Sequence, residues 1–365
     1  MKRNILITTP SLEYTGGVAN YFKALLPVLE NNEHFEFSFL FVGTGQGGDH
    51  KFHWIRDQIR FYKTLKNNRF DLIHINPSLD LKSFIRDGLF ILWSRKFRRP
   101  VLVFFHGWDM RFEQVIRKVF WYFMRRTYLR ADAFVVLGSV FQKKILQWGV
   151  KKKIYSETMV VDDSLIEGFS LKEKYERISN NKFLRILFLA RLELNKGVIE
   201  SIDAFSELIN SGYKASLTIC GDGVAMKAAK SRAGELGLSD KIVFTGYVKG
   251  ELKKKYFAEN DVFCFPTYYE GMPNCVLEAM AFGMPVITCS VGGIKDFFKD
   301  GEMGYFVKVR DSRSVALALQ KLIEDKNKIF SMGKYNHSYA LEYFLSSNVA
   351  KRLLAIYTQT IDRKS

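Results

Sequence analysis

The chain has 365 residues, of which 47% are hydrophobic, and a formal net charge of +17. This length is enough for two globular domains, each with its own core, and no apolar run approaches the roughly 20 residues that cross a bilayer. The positive charge suits nucleic acid, anionic lipid or a phosphorylated substrate. Because no nucleic-acid-binding module is recognisable, we expect no nucleic acid partner and rank an anionic membrane surface first.

The four cysteines indicate a reducing compartment. Cys220, Cys264, Cys275 and Cys289 show no metal-ligand spacing and lie on predicted strands or a predicted helix, so we expect buried, reduced thiols. The first residues show no signal-peptide pattern. Both observations favour a cytoplasmic location. No Asp-x-Asp motif ends a strand, so we expect no metal and no other cofactor.

Strand-like runs alternate with helical stretches along the whole chain, which predicts an α/β protein with two doubly wound parallel sheets. The predicted strands cover 5–7, 37–42, 71–75, 101–105, 133–137, 186–190, 216–220, 242–245, 262–265, 286–289 and 305–307. Residues 169–182 are polar without apolar periodicity and predict a linker. We therefore expect domains at 1–168 and 183–340, each holding ligands at the carboxyl ends of its strands, followed by a terminal helix over 341–365.

Gly16 and Gly17 lie between the first predicted strand and a helix over 18–29. Glycines here allow the backbone to approach a ligand at the helix N-terminus. The spacing is not G-x-G-x-x-G, which argues against a dinucleotide site. The alternative is a plain loop whose glycines are needed for positive φ.

His106 ends the fourth predicted strand, where it is well placed to face a ligand cleft. The alternative is a buried structural histidine. Residues 111–130, which follow, interleave six basic residues with six aromatic ones. This pattern suits an interfacial helix and predicts peripheral attachment to the inner face of a membrane. The alternative is a core-packing helix whose other side is solvated.

Arg191 and Lys196 leave the carboxyl end of a predicted strand together. Both can reach a phosphate held near that edge, and two cations there would stabilise a leaving diphosphate. A solvated loop pair is the alternative. The loop Gly221-Asp222-Gly223 follows the next strand, and we interpret it as a weaker candidate for the same site.

A second stretch carries the most specific pattern of the chain. Pro273 is placed as a first helical residue, and Gly283 with Pro285 ends the helix. The N–H groups of Asn274, Cys275 and Val276 are then free and favour an anion such as phosphate. The full stretch is Glu270-Gly271-Met272-Pro273-Asn274-Cys275-Val276-Leu277-Glu278.

Glu270 and Glu278 flank this anion site and would repel the anion unless each is aimed at hydroxyl groups farther along the same ligand. A nucleotide sugar, with a central diphosphate and sugar hydroxyls on both flanks, is such a ligand. Two alternatives are an ordinary capped helix with a surface glutamate and a glycosidase carboxylate pair. The glycosidase interpretation leaves the anion site unexplained.

The string Glu-Gly-Met-Pro-Asn, three residues, Glu-Ala-Met-Ala resembles the paired-glutamate signature of family 4 retaining glycosyltransferases, which have the GT-B fold of two doubly wound domains facing across a cleft. The resemblance implies transfer of a hexose-type sugar, with retention, from a nucleoside diphosphate sugar to a glycan or lipid-linked acceptor. The variant of the motif favours UDP and surface-polysaccharide assembly. The resemblance to this family also implies that the terminal helix returns to the first domain.

The same resemblance implies residue roles. Glu270 positions the donor sugar with support from His106, Glu278 binds the ribose, and Arg191 with Lys196 takes up charge on the leaving group. The remaining implied substrate contacts are Gly16, Gly17, Gly271, Met272, Asn274, Cys275 and Val276.

Pro273 departs from the family pattern, because many members have glycine there and proline has no N–H to give a sugar hydroxyl.

Two other functions stay open on the sequence. In the first, the chain is a catalytically silent subunit that binds a nucleotide sugar or lipid. In the second, it is a basic protein that binds nucleic acid.

Overall fold

The computed structural model describes residues 2–14, 16–43, 53–181 and 183–363. The strands are β1 (Arg3–Thr9), β2 (Phe35–Phe41), β3 (Leu72–Ile75), β4 (Val101–Phe105), β5 (Ala133–Leu137), β6 (Lys153–Glu157), β7 (Leu184–Leu189), β8 (Ala215–Cys220), β9 (Ile242–Gly246), β10 (Val262–Phe265), β11 (Val286–Cys289) and β12 (Gly304–Val307). The helices are α1 (Gly17–Glu30), α2 (His53–Asn67), α3 (Leu81–Lys96), α4 (Met110–Lys118), α5 (Trp121–Arg126), α6 (Ser139–Gln147), α7 (Leu171–Ser179), α8 (Val198–Asn210), α9 (Met226–Glu235), α10 (Gly250–Glu259), α11 (Asn274–Ala281), α12 (Ser312–Glu324), α13 (Lys326–Tyr343) and α14 (Ser346–Asp362).

The chain forms two compact units. The first contains residues 1–160 and 346–365, and the second contains residues 161–345. Each holds one six-stranded sheet, with order β2-β1-β3-β4-β5-β6 in the first unit and β12-β11-β10-β7-β8-β9 in the second. All strand pairs are parallel. The predicted pair of doubly wound parallel sheets is therefore confirmed.

Sequence pattern accounts for the central strands and for the one strand it missed. β4, β5 and β10 are continuous apolar runs with every residue buried, as expected for strands covered by helices on both faces. β6 was not predicted, because it lies at the edge of its sheet and exposes Lys153 and Ser156. Its start also falls in the basic run 151–153, which resembles a loop.

Each sheet has a point where the strand order reverses direction. In the first unit this switch point lies between β1 and β3, and in the second it lies between β7 and β10. Doubly wound sheets bind ligands at the carboxyl ends of the strands beside this point. Gly16 and Gly17 follow β1, Lys196 follows β7 and Glu270 follows β10. The topology therefore places the predicted site residues beside the two switch points.

The predicted linker over 169–182 is wrong for most of its length, because α7 occupies residues 171–179 and belongs to the second unit. Ser170 caps this helix by accepting a hydrogen bond from the N–H of Glu173. Lys174 occupies a buried position on its inner face, where its Nζ donates to the carbonyls of Phe257 and Phe282, each at 2.9 Å. Because a lysine occupies this core position, the sequence of α7 shows no clear apolar periodicity and was predicted as a linker.

The C-terminal region contains two helices where one was predicted. α13 belongs to the second unit and α14 to the first, with the change of unit between Leu345 and Ser346. In the first unit, the Tyr357 hydroxyl of α14 lies 2.7 Å from His74 Nδ1 of β3. No helix in the described part of the chain combines the length and the apolar character needed to cross a membrane.

Candidate active site

The motif helix α11 begins at Asn274, one residue later than predicted, and Pro273 precedes it in an extended conformation. The N–H of Val276 donates to the Pro273 carbonyl at 3.2 Å. The prediction of a free N–H at Val276 is therefore wrong, because the proline carbonyl closes the first turn. Within the described residues, the N–H groups of Asn274 and Cys275 have no such partner. These two donors are therefore left for the predicted anion.

Glu270 lies in the loop between β10 and α11, with 13% of its side chain exposed. Its Oε1 accepts a hydrogen bond from Lys196 Nζ at 2.6 Å and one from Thr267 Oγ1 at 3.3 Å. Burial raises the pKa of Glu270 above its ordinary value, and the neighbouring Lys196 opposes that rise. The structure thus brings together two predicted site residues that are 74 positions apart.

Two glycines allow the backbone packing that holds this pair. Gly197 follows Lys196 with φ of +80°, and a Cβ there would lie 2.3 Å from the Pro266 carbonyl oxygen. Gly292 has φ of +53°, and its Cβ would lie 1.9 Å from the Glu270 carbonyl oxygen. Both positions therefore require glycine. The loop after β11 therefore packs against the backbone of Glu270, although its sequence did not indicate a place at the site.

Gly271, Met272 and Asn274 complete the approach to α11. The Gly271 carbonyl accepts a hydrogen bond from the N–H of Gly293 at 2.6 Å. Met272 is 8% exposed and packs close to Gly293. The side-chain Oδ1 of Asn274 is buried and has no hydrogen-bond partner in the part of the chain that the structure describes. This oxygen can therefore accept a hydrogen bond from a ligand.

Glu278 lies in the second turn of α11 and is only 7% exposed, so the alternative of a surface glutamate is wrong. Its Oε1 accepts a hydrogen bond from Lys253 Nζ at 2.6 Å. Its Oε2 is buried and has no partner among the described residues. Lys253 belongs to α10 and was not predicted, because the lysine run 253–255 resembles an ordinary solvated helix face.

The pKa of the Cys275 thiol depends on both glutamates and both lysines of the site. Burial raises its pKa most, Glu270 and Glu278 raise it further, and Lys196 and Lys253 oppose the rise. Both glutamates and both lysines therefore act on the first turn of α11.

Cys220, Cys264 and Cys289 are buried free thiols, and burial raises the pKa of each. Across the described residues, no three His, Cys, Asp or Glu side chains form a group that could hold a metal ion.

Arg191 lies apart from the Lys196–Glu270 pair. Its guanidinium makes an ion pair with Glu193 at 3.1 Å, and 74% of the side chain is exposed. The loop 221–223 packs beside it, since the N–H of Leu192 donates to the Asp222 carbonyl at 2.9 Å. The two predicted cations therefore have different surroundings: Lys196 is half-buried against the Glu270 carboxylate, and Arg191 is exposed to solvent.

In the first unit, the ring of His106 is held by Asn76, which follows β3. The Asn76 Nδ2 donates to the Thr8 carbonyl at 2.9 Å, so its Oδ1 is left to accept from His106 Nε2 at 2.9 Å. The ring stacks on Phe104 with 3.8 Å between centroids and meets the edge of Tyr21 at 4.8 Å.

Burial lowers the pKa of His106 well below its ordinary value, and His74 adds to that effect. The ring is therefore neutral at physiological pH. Because its proton is on Nε2, the buried Nδ1 is an acceptor, and it has no partner within the described ranges. Neither of the two earlier interpretations is complete, since the ring is packed like a structural histidine yet leaves one acceptor unused.

Gly16 and Gly17 begin α1 without needing positive φ. Gly16 has φ of 177°, which is extended backbone open to any residue. A Cβ at either glycine would meet no atom of the described residues within 4 Å. The interpretation as a loop that requires positive φ is therefore wrong, and the two glycines leave open space at the helix N-terminus.

The predicted basic aromatic helix over 111–130 consists of α4 and α5, separated at 119–120. Ile116 and Met124 are fully buried, as the core-packing alternative requires. The opposite side exposes Val115, Val119 and Tyr122, with Val119 at 69% and Tyr122 at 68%. We call this side the basic apolar face, and its exposed cations are Arg111, Arg117, Lys118, Arg125 and Arg126.

Comparison with known proteins gives two family matches, one for each unit. The model described as "Glycosyltransferase Family 4" matches residues 15–156, and the model described as "Glycosyl transferases group 1" matches residues 171–338. The capsular polysaccharide biosynthesis glycosyltransferase CapM of Staphylococcus aureus is 27% identical over 215 residues, covering 58% of this chain. The chain spans about half of CapM, 54% of its length.

Two solved structures show the same architecture along nearly the whole chain. Sucrose-phosphate synthase from Thermosynechococcus elongatus has a TM-score of 0.77 at 17% identity and covers 99% of this chain and 100% of that one. Anabaena HepE in complex with UDP and glucose has a TM-score of 0.72 at 16% identity and covers 97% and 99%. At these identities the likeness concerns the fold, and it confirms the predicted GT-B class.

Proposed function

Since the chain belongs to glycosyltransferase family 4, we propose that it transfers a hexose-type sugar from a nucleoside diphosphate to an acceptor hydroxyl, with the donor bound at the second unit's switch point. The observation that carries this proposal is the first turn of α11. Two free N–H groups lie there between two lysine–glutamate pairs. This alternation of charge matches a diphosphate flanked by hydroxyl groups.

The diphosphate binds at the N–H groups of Asn274 and Cys275, where the helix dipole and the nearby Lys196 favour negative charge. Arg191 shares the loop of Lys196, and its exposed guanidinium is long enough to turn toward the phosphate. Glu278 Oε2 accepts a ribose hydroxyl. Each carboxylate is thereby aimed at hydroxyl groups and not at the phosphate.

The donor sugar lies at Glu270, whose Oε1 is already held by Lys196. Because Pro273 has no N–H, the sugar loses one backbone donor at this position, and the buried Oδ1 of Asn274 instead accepts a hydrogen bond from a sugar hydroxyl. Of the nucleotides, UDP is favoured, since HepE, which shares the fold, was crystallised with UDP and glucose.

The reaction needs no side-chain nucleophile. The bond between the anomeric carbon and the phosphate oxygen breaks, and the acceptor oxygen bonds to the same face of the sugar, so the anomeric configuration is retained. The departing phosphate oxygen takes the acceptor proton. Lys196, Arg191 and the N–H groups of α11 stabilise the charge that develops on the diphosphate.

The first unit is proposed to handle hydroxyl groups. His106 Nδ1 is a neutral acceptor for a sugar hydroxyl, and the open space at Gly16 and Gly17 admits a bulky ligand near the N-terminus of α1. The relative CapM is named for capsular polysaccharide biosynthesis. We extend this to the present chain and propose a glycan or lipid-linked acceptor in surface-polysaccharide assembly.

The basic apolar face of α4 and α5 is proposed to bind an anionic membrane. Exposed valines and a tyrosine can enter the lipid headgroup region while the surrounding arginines meet its negative charge. A lipid-linked acceptor would then be presented at the surface on which the enzyme rests.

A thermal-shift screen against UDP, GDP, ADP and their common sugars tests the donor site, because a ligand that binds the native state raises the melting temperature. We expect a rise with one nucleotide that is lost in Glu278→Ala and kept in the surface variant Lys255→Ala. No rise with any nucleotide would contradict the proposal. A rise without transfer to any acceptor would instead support a catalytically silent subunit.

A further inference from the structure

The lysine run on α10 contains three side chains with different surroundings. Lys253 pairs with the buried Glu278 at 2.6 Å, and 23% of its side chain is exposed. Lys254 donates to the Glu167 carbonyl. Lys255 is 60% exposed and lies 3.9 Å from Glu259, one helical turn along. The same residue type therefore occurs once at the active site and twice outside it.

Lys253 compensates the burial of the Glu278 carboxylate. A carboxylate that is 7% exposed is costly to keep ionised unless a positive charge or several donors face it. The hydrogen bond from Lys253 Nζ satisfies Oε1 alone. The opposite oxygen, Oε2, is buried without a partner in the described chain.

This division of the two oxygens has a chemical meaning. An ionised carboxylate only accepts hydrogen bonds, so Oε2 requires a donor such as a hydroxyl. With Oε1 fixed by the ion pair, the plane of the carboxylate is fixed and Oε2 points in one direction. The lysine itself comes from a different helix and contributes no atom to Oε2.

We propose that Lys253 is a positioning residue: its ion pair with Oε1 orients the Glu278 carboxylate so that Oε2 selects a ribonucleotide through the ribose hydroxyls. This inference rests on the proposed function, in which Glu278 faces the ribose. A second arrangement is the direct alternative, in which Lys253 leaves Glu278 and binds the diphosphate. The two differ in whether the effect of Lys253 depends on the 2′-hydroxyl.

The test is isothermal titration of UDP and 2′-deoxy-UDP into the wild-type protein, Lys253→Met and Lys255→Met. We expect the wild type to prefer UDP by about tenfold, the size of one lost charge-assisted hydrogen bond. Lys253→Met should bind UDP about tenfold more weakly and 2′-deoxy-UDP equally well, so that the preference disappears. Lys255→Met, the matched lysine on the same helix, should behave like the wild type.

Equal weakening of both nucleotides in Lys253→Met would assign the lysine to the phosphate and overturn the proposal. An unchanged preference in that variant would also overturn it. If Lys253→Met does not fold, Lys253→Gln supplies an uncharged amide donor in its place. A retained preference in Lys253→Gln would contradict the need for the ion pair. Lys253→Arg should restore the preference.

The wild-type titration separates this inference from the proposed function. A wild-type protein that binds no nucleotide contradicts the proposed function itself. A wild type that binds UDP and 2′-deoxy-UDP equally leaves the donor site intact and contradicts only the link between Glu278 and ribose. If the thermal-shift screen selects GDP, the same pair of titrations is made with GDP and 2′-deoxy-GDP.

Discussion

The two switch points have the same topology and opposite electrical character. Beside β7 and β10, two lysines and two glutamates act on the start of one helix. Beside β1, β3 and β4, the corresponding positions hold two glycines, an asparagine amide and a neutral imidazole. The second unit is therefore equipped for a ligand that carries charge, and the first for neutral groups that exchange hydrogen bonds.

In the proposed function, this difference assigns the donor to the second unit and the acceptor to the first. Leaving-group charge develops on the diphosphate, so fixed cations and N–H groups are most valuable there. An acceptor hydroxyl is neutral until its proton leaves, and buried charges beside it would add desolvation cost without stabilising the transition state. A clear separation of effects should follow when each site is mutated.

Breaking the charged site should have the largest effect. Glu270→Gln and Lys196→Met should each lower the transfer rate by about a thousandfold, because a fixed interaction at the reacting group is lost. The surface variants Lys255→Met and Glu259→Gln should keep the wild-type rate. Steady-state kinetics at saturating donor measure this, and full activity in either site variant would remove the assignment.

The stability of the same variants sharpens the comparison. Lys196→Met leaves a buried carboxylate without its cation and should lower the free energy of unfolding by about 3 kcal/mol. The double variant Lys196→Met with Glu270→Gln should regain most of that loss and remain inactive. Denaturant unfolding monitored by circular dichroism measures the difference.

Lys174 tests whether a buried charge outside the switch points serves the fold alone. Burial lowers its pKa from 10.5 to about 7, while Asp261 opposes that shift and Arg177 adds to it. Because the pKa is lower in the folded state, the buried ammonium costs stability below pH 7, and the cost fades as pH rises toward 10.5. Between pH 7 and pH 10, the wild type should gain about 3 kcal/mol relative to Lys174→Met.

Unfolding curves of the wild type, Lys174→Met and the exposed control Lys172→Met at the two pH values measure this gain. Lys172→Met should follow the wild type at both. If the wild type and Lys174→Met shift in parallel, the buried lysine does not titrate in this range.

Breaking the neutral site should have a smaller effect and leave the donor site unchanged. His106→Gln should lower the transfer rate by about tenfold, the size of one lost hydrogen bond, while the thermal shift with nucleotide stays at the wild-type value. Because the pKa of His106 is well below its ordinary value, the wild-type rate should show no step from this ring between pH 6 and pH 8. The exposed His34→Gln is the control. Loss of nucleotide binding in His106→Gln would contradict the separation of the two sites.

Mutating the basic apolar face should affect membrane binding and leave both ligand sites unchanged. Arg125→Glu with Arg126→Glu should weaken binding to vesicles that contain anionic lipid by at least about tenfold, since each basic residue near such a surface contributes about 1 kcal/mol. Lys227→Glu with Lys230→Glu makes the same change of charge in the second unit and should have no effect. An unchanged partition in the first variant would leave α4 and α5 with a packing role only.

The sequence predicted the central strands and the paired glutamates because both are encoded locally. Buried parallel strands are continuous apolar runs, and the motif at 270–278 is contiguous. Lys196 and Glu270 could also be placed at one edge, since each follows a strand. Topology then determines that β7 and β10 are neighbours.

Other features depend on partners that are distant in sequence. In sequence, Lys253 cannot be distinguished from Lys254 and Lys255, and its contact with Glu278 of α11 appears only in the fold. Lys174 likewise resembles a polar linker residue until the ends of two helices place the carbonyls of Phe257 and Phe282 beside it. The orientation of the His106 ring depends on its hydrogen bond to the Asn76 side chain, which is itself held by a hydrogen bond to the Thr8 carbonyl. The edge strand β6 exposes polar residues and cannot be distinguished from a loop by pattern alone.

Hydrogen exchange with and without saturating UDP tests the central claim most directly, because it locates the nucleotide within the chain. We predict that peptides covering 266–282 gain the strongest protection, through the N–H groups at the start of α11, and that peptides covering 101–109 remain unchanged. Protection confined to the first unit, with 266–282 unaffected, would contradict the assignment of the charged switch point to the donor.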